Sequence, residues 1–134
     1  MPDRLQKNRF LVLGRTGIDL YADPPGMAIE DARSFSAALG GSAANIAVAI
    51  ARQGGMCALL SAVSDDAVGR FTVKALDSYG VSTGYVKVVG GEARNSLAVV
   101  ETRADNCQSI IYRNGAADFE LTQADAASVD YSTF

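Results

Sequence analysis

Residues 40–51 read GGSAANIAVAIA, in which two adjacent glycines lead directly into a strong helix-forming run. The alanine-rich part predicts a helix from about Ala43 to Gln53, and the glycines at 54 and 55 are a typical C-terminal stop. Ser42 is the predicted N-cap, and Asn45 is the predicted third residue of the helix. A helix that begins immediately after two flexible residues raises the question of what approaches its N-terminus.

Two interpretations of Gly40 and Gly41 are open at this point. Neither glycine has a Cβ, so a ligand could come close to the backbone N–H groups at the positive end of the helix dipole. The side chain of Asn45 would lean back towards the same end and add a donor for hydroxyls or an anion. The alternative is a plain capped turn without a ligand. Residues 1–134 contain neither the P-loop pattern nor the G-x-G-x-x-G pattern of dinucleotide-binding proteins.

Strands on both sides of this helix complete an α/β pattern. RFLVLG at 9–14 and CALLSAV at 57–63 are short apolar runs typical of buried strands. A second amphipathic helix follows, with Asp65 or Asp66 as its N-cap. Residues 9–80 therefore alternate between strand and helix, which is the rhythm of a parallel α/β sheet.

The pattern changes after the second helix. YVKVVG at 85–90, SLAVVET at 96–102 and SIIYR at 109–113 are joined by turn-like segments, and they predict antiparallel strands in an appended sheet. Thr122 and Asp125 then have the spacing of a capping box at the start of a short helix.

Composition excludes several classes of function. The net charge of −3 and the pI near 4.8 argue against nucleic acid as a partner, because phosphate backbones recruit basic surfaces. The N-terminal MPDRLQKNRF precedes too short an apolar run for a signal peptide, and no stretch is long enough to span a membrane.

The two cysteines indicate neither a disulfide framework nor a zinc site, so we expect a cytoplasmic protein. The absence of histidine removes Ser-His-Asp catalysis and His-ligated metal sites, and we predict no metal ligands in this chain.

Asp19 and Arg113 are further candidates for a binding site. Asp19 follows the first strand, where ligands of open α/β sheets bind, and a carboxylate can accept hydrogen bonds from two hydroxyls of a polyol. The alternative for Asp19 is a surface turn. Arg113 ends the last antiparallel segment and could bind a carboxylate in a bidentate pair, or it could simply be solvated.

Taken together, these residues resemble the ribokinase-like (PfkB) family of sugar kinases. The family signature of two glycines, a small residue and an asparagine opening an Ala-rich helix matches Gly40–Asn45 here. Its early aspartate matches Asp19, and its stretch around an Asp pair matches Ser64–Arg70, with serine where many members have glycine. Within the family, Gly14–Leu20 and Ile110–Arg113 are most similar to kinases of deoxy-keto sugar acids, although Ile111 replaces a tyrosine that some of those kinases carry.

The resemblance implies the fold and its organisation. It implies an α/β fold in which residues 1–134 form the N-terminal part of one kinase domain, with a parallel Rossmann-like sheet, helices and a small antiparallel β lid. The core elements would be at 9–15, 40–80 and 117–134, and the lid elements at 16–39 and 84–113. Members of this family often pair through the lid, so the resemblance also implies a homodimer. The catalytic half would lie C-terminal to these residues.

The same resemblance implies the function. Asp19, Gly40, Gly41 and Asn45 would bind sugar hydroxyls, and Arg113 would bind a carboxylate. ATP and Mg²⁺ would bind mainly outside residues 1–134, which lack the family's catalytic Gly-Ala-Gly-Asp segment. We therefore expect an ATP-dependent kinase of inositol catabolism that acts on a deoxy-keto sugar acid such as 5-dehydro-2-deoxygluconate. The alternatives are a kinase of a neutral sugar or nucleoside, or a non-catalytic sugar-binding or assembly module.

Overall fold

The computed structural model describes residues 9–134, which form two β-sheets flanked by helices. The strands are β1 (Arg9–Leu13), β2 (Gly17–Asp23), β3 (Ser34–Gly40), β4 (Met56–Ser64), β5 (Val86–Val89), β6 (Ser96–Val100) and β7 (Ser109–Tyr112). One sheet has the order β1-β4-β5, and the other has the order β3-β2-β6-β7. The N-terminal stretch interpreted above as lacking a signal peptide falls largely on residues 1–8, which lie outside the described residues.

Three α-helices lie in the described part of the chain, close to the positions expected from the sequence. They are α1 (Ser42–Arg52), α2 (Ala67–Ser78) and α3 (Gln123–Ala127). Asp66 caps α2 by accepting hydrogen bonds from two backbone N–H groups of its first turn, which confirms one of the two predicted caps. The capping box predicted at α3 is present as well. None of the helices within residues 9–134 has the length and apolar character needed to cross a bilayer.

The parallel sheet forms the core, with β4 in its centre. Every residue of β4 from Cys57 to Ser64 is buried, as expected for a parallel strand covered on both faces. Helices α1 and α2 pack on β4, and the segment at 117–120 also contacts this strand. The main apolar cluster consists of Ala43, Ala44, Ala47, Cys57, Leu59, Leu76 and Val81. The α/β fold with a parallel sheet is thus confirmed.

The prediction for β5 is wrong in one respect. Residues 85–90 were expected to be antiparallel and part of the lid at 84–113, but β5 pairs with β4 in parallel, with Val63 opposite Val88. The reason is that α2 is long enough to act as the crossover that joins two parallel strands. The strand after α2 therefore continues the parallel sheet. The antiparallel pairing of β6 with β7 is confirmed.

The four-stranded sheet carries Asp19 on one of its faces. Asp19 in β2 lies opposite Ala38 of β3 and Ala98 of β6, and Ala98 lies opposite Ile111 of β7. Because directly opposed residues share a face, these four residues define what we call the Asp19 face.

A buried asparagine connects the two sheets. Asn95, immediately before β6, accepts a hydrogen bond from the N–H of Ser64 at 3.3 Å and donates to Thr72 Oγ1 at 2.8 Å. These bonds join the start of β6 to the end of β4 and to α2, and all three side chains are nearly inaccessible. The Asp19 face is therefore held at a defined position relative to the parallel sheet.

Candidate functional site

The carboxylate of Asp19 lies against Gly40 on the neighbouring strand. A Cβ added to Gly40 would come far closer to Asp19 Oδ1 than the 3.0 Å that real Cβ atoms keep. Oδ1 is buried and has no hydrogen-bond partner among residues 9–134. Buried carboxylate oxygens normally have a partner, so this oxygen is a candidate for accepting a hydrogen bond from a ligand.

Sequence reasoning placed Asp19 just beyond the first strand, whereas it is the third residue of β2. The loop after β1 is only three residues long, so the chain enters a new strand before reaching Asp19. A strand holds a side chain more rigidly than a loop does. The change of element therefore makes Asp19 a better-oriented acceptor.

Tyr21 is a neighbour of Asp19 that sequence reasoning did not single out. Its hydroxyl donates a long hydrogen bond of 3.4 Å to Asp19 Oδ2. Burial, followed by the charge of Asp19 and this hydrogen bond, raises the pKa of Tyr21 above its usual value. The phenol thus keeps its proton and serves as a donor to the carboxylate. The signal that could have identified it is the spacing of two residues, which places Tyr21 on the Asp19 face.

Gly41, and not Ser42, is the N-cap of α1. Gly41 has a φ of 101°, which favours glycine, and no side chain caps this helix. The prediction of Ser42 as cap is wrong because Ser42 is already the first helical residue, and Asn45 is consequently the fourth rather than the third. The N–H of Ala44 donates to the carbonyl of Arg15 at 3.4 Å. The positive end of the helix dipole is therefore left without a side-chain acceptor.

Asn45 is exposed and lines a groove of about 340 Å³. The groove is bordered on the sheet side by Ala38, the residue opposite Asp19. Asn45 thus lines the same groove as the residue that pairs with Asp19 across β2 and β3. A larger groove of about 390 Å³ lies at the amino ends of β1 and β4, and none of the predicted site residues lines it. Ligands of open α/β sheets bind at the opposite ends of the strands, so the glycine-rich end is the better candidate.

Arg113 lies at the end of β7 and is already paired. Its Nε donates to Asp118 Oδ2 at 2.9 Å, and its Nη2 donates to the same oxygen. The side chain of Asp118 is only 3% exposed, and that of Arg113 is 42% exposed. The guanidinium also lies 4.5 Å from the centre of the Phe119 ring. Arg113 is therefore held in one orientation but is neutralised by its partner, which sequence reasoning missed.

The structure brings four of the five predicted residues together. Asp19, Gly40, Gly41 and Asn45 lie where β2 and β3 meet the start of α1, whereas Arg113 lies two strands away from Asp19 in the order β3-β2-β6-β7. Neighbouring strands are about 4.8 Å apart, so β7 is roughly 10 Å from β2.

The described residues offer no metal centre. Within residues 9–134, no three His, Cys, Asp or Glu side chains are grouped closely enough to hold a metal ion.

Comparison with known families gives one match over nearly the whole chain. A family model described as pfkB family carbohydrate kinase matches residues 7–133. The ribokinase-like resemblance noted in the sequence is thus confirmed.

Two curated relatives show the range of sugars in similar proteins. The 5-dehydro-2-deoxygluconokinase of Photobacterium profundum is 38% identical over 133 residues, which are 96% of this chain and 40% of that protein. Fructokinase-1 of Oryza sativa subsp. japonica is 39% identical over 113 residues, which are 84% of this chain and 35% of that protein. The chain spans about 40% or less of the length of these relatives.

A solved structure agrees with the fold. An uncharacterized sugar kinase from Pyrococcus horikoshii in complex with ATP is 27% identical, with a TM-score of 0.77. The match covers 86% of this chain and 37% of that protein. The two sheets described above therefore occur together in a protein that binds ATP.

Proposed function

This chain belongs to the pfkB family of carbohydrate kinases, and we propose that it is the sugar-binding portion of an ATP-dependent kinase. The proposed reaction transfers phosphate from ATP to a hydroxyl of a deoxy-keto sugar acid such as 5-dehydro-2-deoxygluconate. The name of the 38% identical relative from Photobacterium profundum supports this substrate. We place the enzyme in cytoplasmic inositol catabolism, as the resemblance to such kinases implies.

The contact between Asp19 and Gly40 carries the proposal. It leaves Asp19 Oδ1 buried and without a partner in the described chain, beside the N-terminus of α1. A sugar hydroxyl can donate to this oxygen, and other hydroxyls can contact Asn45 and the backbone at Gly41. Hydrogen bonds to an ionised acceptor are about twice as strong as neutral ones, so Asp19 is the main anchor of the sugar.

The four-stranded sheet is proposed as a lid over the sugar. Closing such a lid excludes water, so that phosphate passes to the sugar instead of to solvent. The face opposite Asp19 exposes Phe35, Ile110 and Tyr112, whose exposed fractions are 40%, 41% and 56%. Exposed apolar side chains on one face indicate an interaction surface, and we propose that a second copy of the protein covers them.

The catalytic base is proposed to come from a segment outside residues 1–134. Phosphoryl transfer requires a positioned base, magnesium and charge stabilisation together, and residues 1–134 contain no Gly-Ala-Gly-Asp segment. The residues of this chain bind and orient the sugar and exclude water from it. We therefore expect no sugar-dependent ATP turnover from residues 1–134 alone.

A kinase of a neutral sugar is the second candidate. The observation that favours it is the pairing of Arg113 with Asp118, which reduces the charge available to a substrate carboxylate. The 39% identity with a rice fructokinase points in the same direction.

The deciding experiment compares substrates in the protein encoded by the complete reading frame. ATP turnover is measured with 5-dehydro-2-deoxygluconate and with fructose, in the wild type and in Asp19→Ala. We expect a higher kcat/KM for the sugar acid, and a strong loss with either sugar in the variant. Preference for fructose would favour the second candidate, and no turnover with any sugar would favour a non-catalytic binding module.

A further inference from the structure

Arg15 is held at the junction of the two sheets by its backbone. It lies in the short loop between β1 and β2, and its carbonyl accepts the hydrogen bond from Ala44 in α1. A Cβ on Gly41 would collide with this carbonyl, so the absence of a side chain at Gly41 lets the loop and the helix meet. The main chain of Arg15 is therefore fixed beside the helix N-terminus.

The side chain of Arg15 reaches onto the Asp19 face. Its Nη1 donates to Ser96 Oγ at 2.7 Å. Ser96 is opposite Gly17, two residues before Asp19 on β2, and it is only 1% exposed. The guanidinium thus lies on the same face as the carboxylate of Asp19, one strand further towards β7.

Arg15 carries a charge that no ion pair among residues 9–134 neutralises. The ion pairs among residues 9–134 join Lys87 to Asp125, Arg103 to Glu101 and Arg113 to Asp118, and none of them includes Arg15. Arg15 is partly buried, and its hydrogen-bond partner Ser96 is neutral. Partial burial of a cation without an anion costs free energy, so an anionic ligand would relieve that cost.

The end of β7 brings the second arginine to the same edge of the sheet. Leu97 lies opposite Tyr112 in the last pair of the β6–β7 ladder, and Ser96 and Arg113 are the residues next to that pair. Arg15 contacts Ser96 by a hydrogen bond, whereas Arg113 contacts Asp118. Of these two arginines, only Arg15 has no carboxylate partner among residues 9–134.

We propose that Arg15 binds the carboxylate of the sugar acid and determines the preference for acidic over neutral sugars. This inference rests on the proposed function and adds a specificity residue to the same site. Ser96 orients the guanidinium of Arg15, whose remaining N–H groups face the ligand as a fork suited to a carboxylate. Arg113, held by Asp118 and Phe119, then forms the wall at the far side of the carboxylate.

The test uses Arg15→Met in the protein encoded by the complete reading frame, with Arg33→Met as matched control. Arg33 is exposed and precedes β3 at the far end of the sheet. We expect Arg15→Met to raise the KM for 5-dehydro-2-deoxygluconate about ten- to hundredfold, because a hydrogen bond between charged groups is lost. The KM for ATP is expected to stay within about twofold. The rise of the sugar-acid KM with ionic strength is expected to weaken in this variant only.

Several outcomes would overturn the proposal for Arg15. One is a sugar-acid KM that changes less than about twofold, and another is a parallel rise of both KM values, as expected for a purely structural residue. Ser96→Ala is the second variant in case Arg15→Met does not fold. It should raise the sugar-acid KM by a smaller factor and, like Arg15→Met, leave the KM for ATP within about twofold. The proposed function is judged separately, because it fails if the wild type does not phosphorylate the sugar acid or prefers fructose to it.

Discussion

Asp19 Oδ1 lies against the main chain of Gly40, in the space that any other residue at position 40 would fill with its Cβ. The glycine thus gives the carboxylate room, and the carboxylate in turn fills the gap that the glycine leaves. Since Asp19 and Gly40 lie on paired strands, their relative position is set by the register of β2 and β3. The site depends on this pair more than on any single donor.

Gly40→Ala is expected to displace the Asp19 carboxylate. The added Cβ cannot coexist with Oδ1 in its present position, so either the side chain rotates or the strands shift, at a cost of about 1–3 kcal/mol in the free energy of unfolding. Sugar affinity should fall together with stability, as measured by calorimetric titration and urea unfolding. Gly90→Ala is the control, because a Cβ there meets no atom within 4 Å. Unchanged sugar affinity in Gly40→Ala would contradict the assigned role of Asp19.

Asp19→Asn is expected to lower the pKa of Tyr21. The charge of Asp19 and the hydrogen bond to it contribute to the raised pKa of Tyr21, while burial, the largest cause, remains in the variant. The phenol should therefore ionise at a lower pH than in the wild type. The absorbance of tyrosinate is followed as the pH rises, and Tyr21→Phe identifies the residue concerned. An identical titration in Asp19→Asn and the wild type would show that the two side chains do not interact.

The sequence predicted the ends of the helices well because these ends are determined by residues close together in the chain. The cap at Asp66, the capping box at Thr122 and the glycine stop after α1 each follow from hydrogen bonds within a single turn. The direction of β5 could not be obtained in this way. YVKVVG has the same composition whether it pairs in parallel or antiparallel, and only the crossover by α2 decides between the two.

Partners distant in sequence limit what could be predicted of the site. One short motif contains Gly40, Gly41 and Asn45, so the sequence alone predicted that they lie close together. The bond from Arg15 to Ser96 joins residues 81 positions apart and depends on the pairing of β2 with β6. The Asp118 partner of Arg113 is only five residues away, but its burial depends on the packing of residues 117–120 against β4.

Arg113→Ala is expected to destabilise the protein through Asp118. The variant leaves a nearly buried carboxylate without its cation, at a cost of about 1–3 kcal/mol in the free energy of unfolding. The double variant Arg113→Ala/Asp118→Ala should recover part of this loss, because no charge is then left without a partner. Urea unfolding of the two single variants and the double variant gives the coupling energy. Additive losses would mean that the two side chains do not stabilise each other.

Glu101 makes the far end of the four-stranded sheet sensitive to acid. This residue is 1% exposed, and the backbone N–H of Ile29 holds the pKa of its carboxyl below the usual value. Burial acts in the opposite direction, and the N–H of Gln108 and the side chain of Arg103 add to the decrease. The folded pKa is thus lower than the value of about 4.3 in unfolded chains. The stabilisation is therefore fully present above the unfolded pKa and is lost as the pH falls through the folded one.

Glu101→Gln is the variant that tests this acid sensitivity. It should be less stable than the wild type near pH 7. The reason is that the hydrogen bonds that the side chain accepts from the N–H groups of Ile29 and Gln108 and from the guanidinium of Arg103 are weakened. The difference should shrink as the pH is lowered below about 4, since the wild type then loses its charge as well. Urea unfolding at pH 7, 5, 4 and 3 measures the difference, with the exposed Glu92→Gln as control. A difference between wild type and Glu101→Gln that stays constant over this range would exclude the carboxylate charge as the source of the stabilisation. The difference in free energy of unfolding would then come from the packing of the side chain, which does not depend on pH.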